Sequence, residues 1–204
     1  MKVLVACEYS GTVRDAFTAR GHDALSCDLL PTDKPGRHHE GDIEDVLYED
    51  WDLIVAHPPC TYLCNSGVRW LHTQEGRWEK LDEAARFFRL FLDHPCPKVC
   101  IENPIMHKYA LDRIGGEKHT QLIQPWMFGH PEKKATCLWL KGLDALEETN
   151  NVKEEMLKLP ASEQQKIWYA SPSKDRWKLR STTYAGIAEA MATQWGNKEA
   201  PDED

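Results

Sequence analysis

Trp51-Asp52-Leu53-Ile54-Val55-Ala56-His57-Pro58-Pro59-Cys60 decides the fold of this chain. Its first six residues are a short, nearly unbroken apolar run, the pattern of a strand buried on both faces of a parallel sheet. His57-Pro58-Pro59 ends that strand, because proline has no N–H to offer the ladder and fixes its own backbone angle. The same arrangement recurs on either side. Lys2–Ala6 (KVLVA) reads as a strand running to Gly11, followed by a helix over Thr12–Arg20 with Val13, Ala16 and Phe17 on one face, stopped by Gly21. His22–Cys27 is a second strand ending at Asp28. Leu81–Leu92 is a helix, Lys98–Ile101 a strand entering Glu102-Asn103-Pro104, and Ala135–Leu140 a strand closed by Gly142. Strands alternating with helices predict an α/β fold with a doubly wound, mostly parallel sheet. Such sheets bind ligands beyond the carboxyl ends of their strands, where Gly11, Asp28, Asp42, Cys60 and Glu102 fall.

The 204 residues suit one domain, read as 1–196 with a short polar insertion at about 144–180 and an acidic tail over 197–204. Ile187–Trp195 reads as the terminal helix. With 41% hydrophobic and 28% charged residues the composition is that of a globular protein. A net charge of −8 argues against a protein that coats nucleic acid non-specifically, while leaving room for a local basic groove. No apolar run reaches the roughly 18 residues of a membrane span, and MKVLVACEYSG reads as a strand and not as a signal peptide. Seven cysteines with no C-x-x-C spacing fit reduced thiols in a cytoplasmic protein. The nine histidines show poor ligand spacing for zinc, so no metal site is expected.

Three pieces carry candidate chemistry. Pro58-Pro59 sets a rigid turn that holds Cys60 at the sheet edge, either as a nucleophile or as an incidental thiol after a strand-ending turn. Glu102, emerging from apolar neighbours, is expected to have its pKa raised by desolvation, as suits a proton donor; the plainer alternative is a helix-capping acid. Asp28 is positioned for ribose hydroxyls and Asp42, in Gly41-Asp42-Ile43, for an adenine amino group, although loop acids are common.

Taken in order, the Gly11 turn, Asp28, Asp42-Ile43, Pro58-Pro59-Cys60 and Glu102-Asn103 resemble the cytosine-5 DNA methyltransferase family. Phe128-Gly129-His130-Pro131-Glu132-Lys133-Lys134 looks like that family's Phe-Gly-x-Pro-Gln-x-Arg stretch, and Tyr184–Trp195 like its last motif. The likeness covers roughly 3–142 and 180–196. It implies a Rossmann-like sheet of the S-adenosylmethionine-dependent methyltransferase type. Glu8, Tyr9, Ser10, Gly11, Asp28, Asp42, Ile43 and Pro58 would hold the cofactor, and Cys60, Glu102 and Lys134 would carry the chemistry. In that chemistry Cys60 adds to carbon 6 of a cytosine in DNA, Glu102 engages ring nitrogen 3, and carbon 5 takes the methyl group. A base within a duplex must first be flipped out.

The sequence also departs from the family. Cys7-Glu8-Tyr9-Ser10-Gly11 keeps only the last glycine of the usual Phe-x-Gly-x-Gly loop, and His57 stands where glycine is usual. Both arginines of the Gln-x-Arg-x-Arg stretch are lost, leaving Lys134 to stand in for one. Cys64 and Asn65 lie just beyond the nucleophile, in the loop that would close over it. The stretch from Leu143 to Arg180 is too short for an independent recognition domain. Lys174, Arg176, Lys178 and Arg180 are candidate phosphate contacts, with Trp177 for stacking; a solvated basic loop is the alternative. Low or short sequence specificity is expected, and the compact size suits a bacteriophage enzyme. Rival readings are a nucleotide or RNA substrate, an amino-group methyltransferase, and an idle cofactor-binding module.

Overall fold

β1 (Lys2–Ala6) and β4 (Leu53–Ala56) form the middle of a seven-stranded sheet in the computed structural model. It describes residues 1–171, 173 and 176–196, with Arg176 and Leu179 in backbone only. The other strands are β2 (Asp23–Asp28), β3 (His38–Glu40), β5 (Val99–Asn103), β6 (Gln121–Ile123) and β7 (Thr136–Lys141). Their order is β3-β2-β1-β4-β5-β7-β6. The first five pair in parallel, and β7 runs antiparallel to both β5 and β6. The sheet is therefore mostly parallel but mixed, compatible with a Rossmann-like α/β fold. The helices are α1 (Thr12–Ala19), α2 (Arg77–Leu92), α3 (Lys108–Arg113), α4 (Lys153–Lys158), α5 (Ala161–Gln164), α6 (Lys166–Tyr169), α7 (Arg176–Ser181) and α8 (Ala185–Gln194). Among the described residues no helix is long and apolar enough to cross a membrane.

Strand pleating explains why the central runs are apolar without interruption. Leu4, Ala6, Ile54, Ala56, Val99 and Ile101 face Leu81, Ala85 and Phe88 of α2. Val3, Val5, Leu53, Val55 and Cys100 face the opposite way, toward Val13 and Phe17 of α1 and Ile187 and Met191 of α8. Each fully buried Leu, Val or Phe contributes roughly 1.5–3 kcal/mol through area removed from water. Where the structure adds elements, they are short. β3 and β6 have three residues each and carry no apolar run. The polar stretch after β7 winds into the one- or two-turn helices α4 to α7.

The turn after β1 is built around Gly11 and Arg14. The Glu8 carboxylate accepts the Val13 and Arg14 amides at 2.7 and 3.2 Å, placing a negative charge at the amino end of α1. Gly11 has φ +67°, and a Cβ there would lie 2.3 Å from the Arg14 guanidinium. Arg14, 1% exposed, donates to Ser26, Thr32 and the Lys34 and Pro35 carbonyls, so it fixes the loop that follows β2.

Candidate active site

The register of the central strands brings the candidate residues together. Ala6 pairs with Ala56, and Ala56 with Ile101, so the next residues along, Cys7, His57 and Glu102, lie side by side at the carboxyl edge. A cavity of about 890 Å³ opens there, between the ends of β1 and β4 where the winding direction reverses. Glu8, Tyr9 and Ser10 line it from β1, Asp28 from β2, and His57, Pro59 and Cys60 from the loop after β4. Lys134 closes it from the segment before β7, while Trp177, Arg180 and Thr183 come from α7 and the approach to α8.

The Pro-Pro turn is held from behind. Asn103, 1% exposed, donates its side-chain amide to the Pro58 carbonyl at 2.9 Å. Cys60 then begins a tight turn in which the Leu63 and Cys64 amides return to its carbonyl, both at 3.0 Å. That turn stacks the two thiols. The Cys64 sulfur accepts a hydrogen bond from Cys60 and lies 3.0 Å from the Ser66 hydroxyl. The Cys60 bond, with Ser66 and Arg180, outweighs burial and pulls the Cys64 thiol down to about 5. Cys60, with Cys64 as its acceptor and with burial acting the same way, is pushed well up. The two thiols are thus coupled through that bond, and Cys64 is the one whose ionised form its surroundings favour. All seven cysteines are free thiols.

His57 and Glu102 form the second pair. Nδ1 of the imidazole lies 2.8 Å from Glu102 Oε2, with the side chains 11% and 15% exposed, and the Thr183 hydroxyl reaches the same oxygen at 3.5 Å. Burial pushes Glu102 up, as its apolar surroundings suggest. The His57 hydrogen bond and charge, helped by Lys134, outweigh it, and the carboxyl is lowered. The expectation of a raised Glu102 pKa is thus corrected by a partner 45 positions away in the chain. For His57 burial acts downward, but the Glu102 bond and charge prevail and the imidazole is raised. Each partner thus favours the charged form of the other.

No family model matches the chain, and no curated protein matches it.

The remaining sequence candidates are distributed unevenly. Asp28 lines the cavity with Oδ1 bonded to the Leu30 amide at 3.0 Å, and burial raises its pKa. Asp42 is exposed and caps the turn over Ile43–Asp45 by accepting the Glu44 amide, and Ile43 packs in the core; neither lines the cavity. Gly11, Pro58 and Asn65 are also off its wall, and Lys178 pairs with Asp33 at 3.1 Å. Lys174 lies outside the described residues, as does the tail 197–204, and the Arg176 side chain is not described. Arg180 lines the cavity, and Trp177 packs on Tyr9 at 5.2 Å between ring centroids. Among the described residues no group of three or more His, Cys, Asp or Glu is arranged to hold a metal ion.

Sequence reasoning missed the opposite rim. Arg69 stacks on Trp70 and Arg77 on Tyr62, each at 4.3 Å, and Trp70 and Arg77 line the cavity. The interleaving of arginine with aromatics over 62–78 was the signal, visible in the sequence but lying in a stretch without helical or strand periodicity. Thr183 gave no local signal.

Proposed function

We propose that the protein transfers a methyl group from S-adenosylmethionine to carbon 5 of cytosine in DNA through a covalent Cys60 adduct. The observation that carries this reading is a pre-oriented Cys60 on the wall of a nucleotide-sized cavity, beside the buried His57–Glu102 pair.

The residues present fit the cofactor, whose sulfonium supplies an electrophilic methyl group. Asp28 at the end of β2 would receive the ribose hydroxyls, with Leu30 offering apolar surface nearby. The first amides of α1 are already bonded to Glu8, so the amino-acid end would meet Tyr9 and Ser10 on the cavity wall, where the Ser10 hydroxyl donates to Glu8 and the Tyr9 hydroxyl meets Ser181. Asp42 caps its own turn and is not assigned an adenine contact.

Cys60 passes its proton to the Cys64 thiolate as its sulfur attacks carbon 6 of the ring. The His57–Glu102 pair engages ring nitrogen 3, which makes carbon 6 electrophilic at attack and carbon 5 nucleophilic afterward. After methyl transfer the carbon-5 proton leaves to water and Cys60 is expelled. Arg69, Arg77 and Arg180 supply phosphate contacts, and Trp70 and Trp177 supply stacking faces.

The test is transfer of labelled methyl groups to cytosine-containing DNA, followed by digestion and nucleoside analysis. Label in 5-methylcytosine is expected, with Cys60→Ser slowing transfer about a thousandfold or more. Label in an amino-methylated base, or a Cys60→Ser variant as fast as the parent, overturns the proposal.

A further inference from the structure

The two side chains that hold Glu102 Oε2, His57 and Thr183, both line the cavity, and Glu102 is not among the lining residues. Beyond its bond to Glu102, the imidazole has a second nitrogen. His57 Nε2 is buried and has no hydrogen-bond partner among the described residues. A buried polar atom without a partner costs on the order of 1–3 kcal/mol, and His57 is among the residues lining the cavity, so a ligand group that reaches Nε2 would relieve that cost. A carboxylate fixing one nitrogen of an imidazole while the other meets the substrate is a recurring way to orient a proton donor.

We infer that His57 is the group that protonates ring nitrogen 3 of the bound cytosine through Nε2, and that Glu102 is its positioning residue. This rests on the methyl-transfer reading above and assigns one of its steps. As Cys60 sulfur bonds to carbon 6, the Nε2–H bond breaks and an N3–H bond forms; the Nδ1–H stays on Glu102 and the imidazolium becomes a neutral imidazole. After methyl transfer, water takes the carbon-5 proton. The electron pair of that C–H bond restores the 5,6 double bond and expels Cys60 as a thiolate, which recovers its proton from Cys64, and nitrogen 3 returns its proton to Nε2. Protons and charge balance with no further reactant.

The charged surroundings favour this division. Glu8 from the end of β1 and Glu102 from β5 act to keep the imidazole protonated, against Lys134 from the approach to β7. Cys60 of the same loop and the core thiols Cys100 and Cys137 face Glu102. Each is pushed up and stays protonated at rest, so none competes with the imidazole for its proton.

The deciding experiment is single-turnover methyl transfer to a cytosine oligonucleotide as a function of pH, with His57→Gln and Glu102→Gln. The parent rate should fall at high pH as His57 loses its proton. Glu102→Gln keeps an acceptor for Nδ1 but removes the charge. Its falling limb should move down by a pH unit or more, with the low-pH rate within about tenfold of the parent. His57→Gln keeps a donor toward Glu102 but cannot titrate, so its rate should drop roughly a hundredfold or more and lose that limb. A folded Glu102→Gln variant inactive at every pH, beside a His57→Gln variant within threefold of the parent, overturns this inference alone. Histidine NMR of the same samples gives a separate readout: the His57 titration, identified by its loss in His57→Gln, should move down in Glu102→Gln, and an unmoved titration contradicts the pairing. A parent protein that transfers no methyl group overturns the functional reading itself, and this inference with it.

Discussion

At the β4–β5 wall of the cavity, His57, Cys60, Glu102 and Asn103 sit at or just beyond strand ends whose register is set by ladder bonds. At the opposite wall, Ile167 and Trp177 ride on α6 and α7, helices of four and six residues. The first wall is tied by the buried Asn103–Pro58 bond and by the part-buried His57–Glu102 pair. The second is tied by the Tyr9–Ser181 hydroxyl contact at 3.2 Å and by the Lys178–Asp33 pair, both of whose side chains are more than 40% exposed. An exposed pair of that kind is worth about 0–1 kcal/mol. Groups that make and break bonds need fixed positions, so they stand on the sheet. On the proposed reading, Trp177 and Arg180, which would grip the polymer, stand on a short helix that can yield.

The comparison breaks most visibly at Gly11. Gly11→Ala forces a side chain into the left-handed region and against Arg14 at 2.3 Å, disturbing the turn that carries Glu8, Tyr9 and Ser10. A loss of about 3 kcal/mol is expected in chemical denaturation, and an unchanged midpoint would contradict the role given to that turn. Asn103→Ala leaves the Pro58 carbonyl without its donor. It should cost about 1–2 kcal/mol of stability while slowing methyl transfer by more than tenfold, because Cys60 loses its backing. Equal small losses in both would make Asn103 a plain structural residue. Trp177→Ala sharpens the contrast from the other side. DNA affinity should fall by about 1–2 kcal/mol, roughly tenfold, with the melting temperature unmoved. A melting shift as large as that of Asn103→Ala would show that the two walls are not built differently.

Much of the rigid wall was legible in the sequence, because a strand buried on both faces leaves an unbroken apolar run that a proline or an acid ends. WDLIVA, KVLVA and KVCI announced β4, β1 and β5, and the residues closing them carry the candidate chemistry. Edge strands left no such trace: His38–Glu40 and Gln121–Ile123 bury little and show no apolar run. α2 begins at Arg77, four residues before its apolar stripe, because Gly76 with φ +71° ends the preceding turn. Asp42 was read for its place after a strand, yet local capping of Glu44 claims its side chain. The His57–Glu102 bond was beyond sequence reasoning, because parallel register, and no local spacing, brings positions 57 and 102 together. Burial does push Glu102 up, and its partner reverses the outcome.

The most direct test of the account is trapping on an oligonucleotide in which the target cytosine is replaced by 5-fluorocytosine, in the presence of S-adenosylmethionine. Fluorine cannot leave as a proton, so a carbon-5 enzyme stalls with its nucleophile attached. The expected result is a denaturation-resistant complex whose intact mass equals protein plus oligonucleotide plus one methyl group, with peptide mapping placing the bond on Cys60. Methylated product with no trapped complex, or a complex mapped to Cys64, would contradict it.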